Sequence, residues 1–378
     1  MKVLKYAILT LTFLNIPTAF FFGGNQAIGS VLSYLTYGLL LVFLIVHKGG
    51  KPNVWLLLLG LSYFLISGVN LYSGIESDFF ITLIKYLIAI FAGSVFVKHI
   101  KINELLFFLI IGTLSIIVEA AFFSTSYGRY GGLYINANLG GFVAILAYTL
   151  TFNVKKFYIR TLFQVVITIC GIITFSRTFL IIWVLINLIS MRISVKNVRI
   201  LAAGFGLLVL LPIFGSLFKL NTTRLNLFTA VVNQEQGSLQ NANEASRTET
   251  WAIYYPYIAD KPFFGNGYNS FQSTGFSPVS VHNAYLLILG EAGLFPFVVF
   301  LTMNIYFLVM GVKLFKQKPF LIMQGIAFAL FMLTFHNFFT MDFMILLALW
   351  IFHQIRLAKE LKAEQLDDIP QREFLIEN

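Results

Sequence analysis

Along most of the chain, long apolar runs alternate with short polar connectors. Apolar runs near 20 residues, the length that spans about 30 Å of hydrocarbon, recur throughout. Twelve segments fit the pattern: 3–22, 28–46, 54–72, 79–97, 104–123, 138–153, 158–175, 179–191, 198–218, 284–311, 319–338 and 342–357. The eighth is short, and the tenth is expected to break near Gly293 into a short outer helix and a spanning one. Connectors in compact domains usually run about 4–6 residues, yet residues 220–283 form one polar connector many times longer. The pattern predicts an all-α, polytopic integral membrane protein with about twelve transmembrane helices. Residues 1–378 would form a single membrane domain, with the 220–283 loop on one side and a charged tail over 358–378.

The long loop has a pattern of its own. Residues 224–232 place Leu225, Phe228, Val231 and Val232 at helical spacing. Ser246, with Glu249 three residues on, reads as a capping box that opens a second helix. Trp251, Tyr254, Tyr255 and Ile258 would form an apolar stripe on it, suited to the outer membrane interface. Pro262 should end that helix, and Gly265 and Gly267 mark a turn in the sequence Pro-Phe-Phe-Gly-Asn-Gly, residues 262–267.

Composition agrees with a membrane chain. It is 58% hydrophobic, 17% aromatic and only 11% charged, with mean hydropathy +0.83, against about 25% charged residues in soluble domains. The net charge of +10 suggests nucleic-acid binding only until the charges are located. Of the 26 Lys and Arg, nineteen fall in one alternate set of connectors, from Lys2 and Lys5 to Arg372. The opposite set holds only Arg129, Arg177, Lys219, Arg224, Arg247 and Lys261, and Lys85 lies inside a span. The positive-inside bias makes the first set cytoplasmic, with both termini, and turns the long loop outward. No nucleic-acid partner is expected. The first apolar run is long for a signal peptide and lacks an A-x-A site, so it reads as a retained helix. The single cysteine, Cys170, allows no intrachain disulfide.

The candidate chemistry sits on the outward side. Arg129 lies in Gly-Arg-Tyr-Gly-Gly, Arg177 in Phe-Ser-Arg-Thr at the end of the seventh span, and Arg247 at the start of the loop helix. A lone interfacial Arg often snorkels or pairs with a carboxylate. Three on the face that should be depleted of them suggest instead a convergent set, whose guanidinium forks match phosphate oxygens. His282 is followed by Asn283, a good N-cap for a helix starting at Ala284, and neutral imidazole can accept a proton near pH 7. His336-Asn337 repeats the dipeptide but reads as apolar core. Glu119, Glu291 and Lys85 are ionisable groups in or beside spans. A structural Lys85–Glu119 pair is one reading, and Glu291 could orient a loop group. There is no Walker A, HExxH, CxxC, GxSxG or outer DxD-like motif, so neither metal nor cofactor is expected.

In their order, these motifs resemble a known family. Arg129-x-Gly-Gly with Asn136-Ala137-Asn138 is followed by Ser176-Arg177-Thr178. Next come Arg247 with Trp251 and the 262–267 turn, and last His282-Asn283 with Glu291-Ala292-Gly293-Leu294. The arrangement is similar to the O-antigen ligase and O-antigen polymerase family of bacterial membrane glycosyltransferases, most sharply over residues 174–300. The resemblance implies a GT-C-like helical fold in the bacterial inner membrane. It implies inverting, metal-independent transfer of a glycan from undecaprenyl diphosphate to an acceptor hydroxyl on the outer face. The acceptor would be lipid A–core for a ligase, or another lipid-linked repeat unit for a polymerase, which could also work with a chain-length regulator protein. Arg177 and Arg247, with Arg129, would bind the diphosphate, and His282 would be the base, with Asn283, Glu291 and Trp251 in support. Pilin-glycosylating members often carry a larger C-terminal extension, which argues against a protein acceptor here. A flippase or transporter is the alternative from another class, but the paired repeats and midplane charges expected of one are not evident.

Overall fold

The computed structural model describes residues 1–71, 73–123, 129–217 and 247–376, with side chains up to 207 and again from 247 to 364. Every regular element among these residues is helical. Fifteen α-helices follow one another: α1 Lys2–Phe13, α2 Ile16–Gly23, α3 Gln26–Val46, α4 Val54–Ser67, α5 Glu76–Phe96, α6 Ile102–Phe122, α7 Ala137–Thr151, α8 Phe157–Ile173, α9 Arg177–Ser190, α10 Val198–Leu217, α11 Arg247–Asp260, α12 Ala284–Ala292, α13 Leu294–Lys313, α14 Phe320–Phe331 and α15 Asp342–Ile376. The helix expected over 224–232 and the Ser246 cap lie outside the described residues.

The helices begin where the sequence supplies caps. Asn25, Asn53, Asn136, Ser176 and Asn283 each accept backbone N–H groups of the first turn through their side chains, which satisfies donors that have no partner within the helix. α7 is the centre of the bundle. All its residues except Asn138 are buried, and α6, α8, α9 and α14 pack around it. Phe142 of α7 stacks on Phe331 of α14 at 4.1 Å between ring centroids. Peripheral helices show the reverse. α3 exposes Ile28, Val31, Leu35, Val42 and Ile45, apolar surface that suits lipid rather than water.

Among the described residues, four helices are long and apolar enough to cross a membrane: α3, α5 with the turn after it, α6 and α13. A fifth is obtained if α1 and α2 are taken as one span bent by 46°. Several of the expected spans are shorter apolar helices of 10–17 residues, among them α4, α7, α8 and α14, as is α9, whose run was expected to be short.

The structure departs from the sequence pattern at particular places. The first run does not form one helix. It breaks at Leu14 and Asn15, where Asn15 takes a left-handed backbone with φ 54°. The eleventh run stops being helical at Phe331, so residues 332–341 form turns rather than span. The last helix carries on from Asp342 to Ile376 and takes in most of the expected tail. The Lys85–Glu119 pair does not form. Lys85 donates to Ser33 at 3.2 Å and lies over the Tyr34 ring at 4.7 Å. Glu119 instead accepts the Gly131 and Gly132 N–H groups at 2.8 and 2.6 Å. A carboxylate beside two free backbone donors needs no distant ammonium.

The expected break at Gly293 is present, between α12 and α13, with φ +79°. A Cβ there would collide with the Phe263 carbonyl oxygen, so the 262–267 turn docks into the break itself. The Asn266 and Gly267 N–H groups donate to the Gly290 and Glu291 carbonyls at 2.7 and 3.0 Å. Gly267, at φ +98°, faces Asn70 so closely that a side chain would clash. The turn residues named from sequence thus clamp the end of the long loop onto α12 and the end of α4.

Candidate functional site

The site is assembled from helix N-termini. Three residues immediately before an N-cap hold left-handed backbone: Ile135 at φ 60°, Phe175 at φ 50° and His282 at φ 47°. They precede the caps Asn136, Ser176 and Asn283 of α7, α9 and α12. Such angles are uncommon for non-glycine residues and are an outlier for a β-branched one. Strain of this kind persists where the surroundings enforce it and clusters at functional sites. The three N-termini add backbone donors and the positive ends of helix dipoles.

Two of these N-termini meet directly. The Asn138 Oδ1, in the first turn of α7, accepts from Arg129 Nη2 at 2.8 Å and from Ser176 Oγ at 3.0 Å. One amide oxygen therefore ties Arg129 to the N-cap that carries Arg177. The third N-terminus is tied to the bundle through α14, because the Ala284 N–H donates to the Met332 carbonyl at 2.8 Å, one residue past the Phe331 that stacks on α7.

Arg247 links the parts. It opens α11 on the same face as Trp251, Tyr254 and Ile258, at spacings of four, seven and eleven residues. That face packs inward: Tyr254 is fully buried, with its ring 4.6 Å from Phe271 and its hydroxyl donated to the Val279 carbonyl. Tyr255, expected in the same stripe, is 51% exposed, since a residue one position from Tyr254 turns away from that face. Arg247 is half-buried. Burial, and next the Arg177 charge, hold its pKa below the ordinary arginine value. Arg177 itself is exposed. No carboxylate pairs with Arg177 or Arg247 among the described residues. The exposed Arg177 and half-buried Arg247 guanidinium groups, with no carboxylate partner among the described residues, repel each other, and an anion between them would relieve that cost.

His282 completes the cluster. Partial burial, and next the Arg247 charge, hold its pKa below the ordinary value of 6.5, so the imidazole is neutral at pH 7. The ring is nonetheless exposed on one side. Its backbone is fixed on both sides, by the Val281 N–H bond to the Phe271 carbonyl at 3.1 Å and by the Asn283 cap of Tyr285 and Leu286. His336 was expected in continuous apolar core. Because α14 ends at Phe331, its ring instead stands 4.7 Å from the His282 ring, edge to face. The buried His336 Nδ1 has no partner among the described residues.

The two supporting residues differ in placement. The Trp251 Nε1 is buried without a partner among the described residues, one turn from Arg247. Glu291 is fully buried. Its carboxylate accepts from the Tyr63 hydroxyl and from the Phe271 N–H, the latter at 3.1 Å. Glu291 therefore anchors the loop to α4, with one oxygen taken by Tyr63 and the other by Phe271. Asn138, Ser176, His336 and Tyr63 were not assigned roles from sequence. The Asn-Ala-Asn and Ser-Arg-Thr motifs carry a usable signal for the first two, since a cap residue places its neighbours at a helix mouth. Among the described residues, no three His, Cys, Asp or Glu side chains group as metal ligands would.

The arrangement can hold a doubly charged, phosphate-like group between arginines and helix N-termini, with a neutral imidazole beside it. Residues 162–301, which contain Arg177, Arg247, Trp251, His282, Asn283 and Glu291, match the family model described as O-antigen ligase. No curated protein matches the chain.

Proposed function

We propose that the chain, whose residues 162–301 match the O-antigen ligase family model, is an inverting glycosyltransferase moving a glycan from undecaprenyl diphosphate to an acceptor hydroxyl. The acceptor in this reading is lipid A–core. The chain spans the inner membrane about twelve times, with its Lys-rich connectors and termini in the cytoplasm and the His282 cluster outside. The observation that supports this chemistry is that the Arg247 charge acts on His282 and the Arg177 charge acts on Arg247, as expected if an anion site lies next to a proton acceptor.

The reaction needs two things. A sugar hydroxyl attacks poorly until its proton is leaving, and the His282 imidazole takes that proton. As the new bond from hydroxyl oxygen to anomeric carbon forms, the bond from that carbon to the diphosphate oxygen breaks. The electron pair stays on the diphosphate, whose charge Arg177 and Arg247 neutralise. Arg129, held through Asn138, stands at the same helix mouths. Attack opposite the departing diphosphate inverts the anomeric centre. Trp251 offers an indole N–H toward a sugar or phosphate oxygen, and Glu291 keeps the loop in place.

The test is reconstitution. Purified protein in detergent, given lipid-linked glycan and lipid A–core, should form the glycan-extended acceptor, detected by mass spectrometry. Extended lipid-linked glycan formed without the core acceptor would make the chain a polymerase. Donor binding or translocation with no product would favour a transporter and sink the transferase reading.

A further inference from the structure

A cavity lies at the other end of α14. α14 ends beside the His282 turn at Met332 and begins just after Lys318. Around Lys318, the ends of α3 and α5, the start of α6 and the middle of α15 enclose a cavity of about 670 Å³. This falls within the roughly 300–1,000 Å³ of small-molecule pockets.

The lining of this cavity is uniformly cationic or imidazole-bearing where it is ionisable. His47, Lys98, His99, Lys101, Lys318 and His353 all face it, and no Asp or Glu does. Three of the five histidines in the chain thus meet in one place. The His47 and His99 rings are 4.4 Å apart. Of the lining lysines, Lys5 is neutralised, by Glu104 at 2.5 Å. Lys98, Lys101 and Lys318 form no ion pair among the described residues. Lys318 is half-buried and donates to an uncharged acceptor, Gln354 Oε1, at 2.8 Å, and burial lowers its pKa.

Positive connectors on this side are ordinary for a membrane protein. Lys48 and Lys51 are such connector lysines, exposed and outside the cavity, whereas Lys98 and Lys101, also exposed, line it with the half-buried Lys318. Here lysines and imidazoles from four segments far apart in sequence converge on one cavity. Gathering like charges there is unfavourable, and a bound anion offsets that cost through charge-assisted hydrogen bonds.

We propose that this cavity binds a phosphate-bearing anion at the Lys-rich membrane face, with Lys98, Lys101 and Lys318 supplying charge and His47, His99 and His353 supplying ring N–H donors. A phosphate group on a lipid and a free phosphate share this chemistry. The ligand is separate from the donor diphosphate, because the cavity and the His282 cluster occupy opposite ends of α14.

The experiment uses the full chain in phosphatidylcholine nanodiscs. One arm adds inorganic diphosphate and reads its binding by calorimetry. The other includes phosphatidylglycerol and reads retained lipid by native mass spectrometry. Wild type should bind in at least one arm, and that arm identifies the source of the phosphate. Lys98→Gln with Lys318→Gln should weaken binding at least about tenfold, as expected for loss of two charge-assisted contacts. Lys318→Arg should restore most of it, and Lys48→Gln with Lys51→Gln should leave it within about twofold, as for charges at the exposed surface. Lys98 is exposed, so Lys98→Gln alone is the folded fallback if the double variant is unstable, with a smaller loss in the same direction. The proposal is overturned if wild type binds in neither arm, if Lys98→Gln with Lys318→Gln binds as wild type does, which would put the anion at the arginine cluster instead, or if the Lys48 and Lys51 control loses as much as the cavity variants.

Discussion

Glu291→Ala should destabilise the protein through two countable losses. The wild-type carboxylate is fully buried and accepts the Tyr63 hydroxyl and the Phe271 N–H. Alanine leaves both donors buried without an acceptor, at about 1–3 kcal/mol each, so the sum is about 2–6 kcal/mol before any packing loss. Glu291→Gln keeps an oxygen for Phe271, and the Tyr63 hydroxyl can turn to accept from the new amide. The expected cost for glutamine is therefore under about 1.5 kcal/mol. Unfolding titrations in mixed detergent and SDS, read by tryptophan fluorescence, measure both variants against wild type. Because the carboxylate holds Phe271, whose carbonyl accepts the Val281 N–H beside His282, transfer should fall with Glu291→Ala and largely survive Glu291→Gln. The reasoning is refuted if Glu291→Ala unfolds within about 0.5 kcal/mol of wild type, the range of an uninvolved surface change.

Three other outcomes follow from the cluster and the charge pattern. Arg177→Lys and Arg247→Lys keep the charge but lose the planar two-bond contact; each should cost about 2–4 kcal/mol of transition-state binding, a drop of roughly 30- to 900-fold in kcat/KM, and near-normal turnover in both would sink the clamp. His282 works as neutral imidazole, and its pKa is held below 6.5 by burial and then by Arg247. The pH–rate profile should therefore be flat near pH 7 and fall only as pH drops through a value under 6.5, and the residual activity of Arg247→Gln should have that limb moved upward. A phosphatase reporter fused after Lys261 should be active outside, and fusions after Lys156 or Lys316 should stay inside; an internal Lys261 reporter would reverse the topology.

What the sequence revealed depended on whether a feature is local. The Gly293 break, the Asn283 cap and the 262–267 turn were legible because each is set by a backbone conformation that few residues tolerate or by a cap that acts within one turn. The three arginines stood out because the opposite face holds most of the positive charge. His336 was not legible. Leu-Thr-Phe-His-Asn-Phe-Phe reads as a continuing span, and only the tertiary bond from Ala284 to the Met332 carbonyl accompanies the end of α14 that turns His336 toward His282. Lys85 and Glu119 failed as a pair for a related reason. Hydropathy places both groups in depth but says nothing about azimuth, and Glu119 found its partners in the glycine N–H groups of the following loop. Helix lengths were also overread, since an apolar run such as 319–338 contains the helix Phe320–Phe331 and turns that are just as apolar.

The most direct measurement of the central claim is single-turnover transfer by His282→Ala, with donor binding measured on the same preparation. Positioned general-base catalysis typically contributes about 10²–10⁴-fold. The variant should fold, bind lipid-linked donor as wild type does, and transfer its glycan slower by about that factor. His336→Ala serves as the neighbour control; it should slow transfer less, because its ring is buried behind the exposed His282. If His282→Ala loses donor binding while the donor that remains bound is transferred at the normal rate, then His282 is a binding group and the account of the base is wrong.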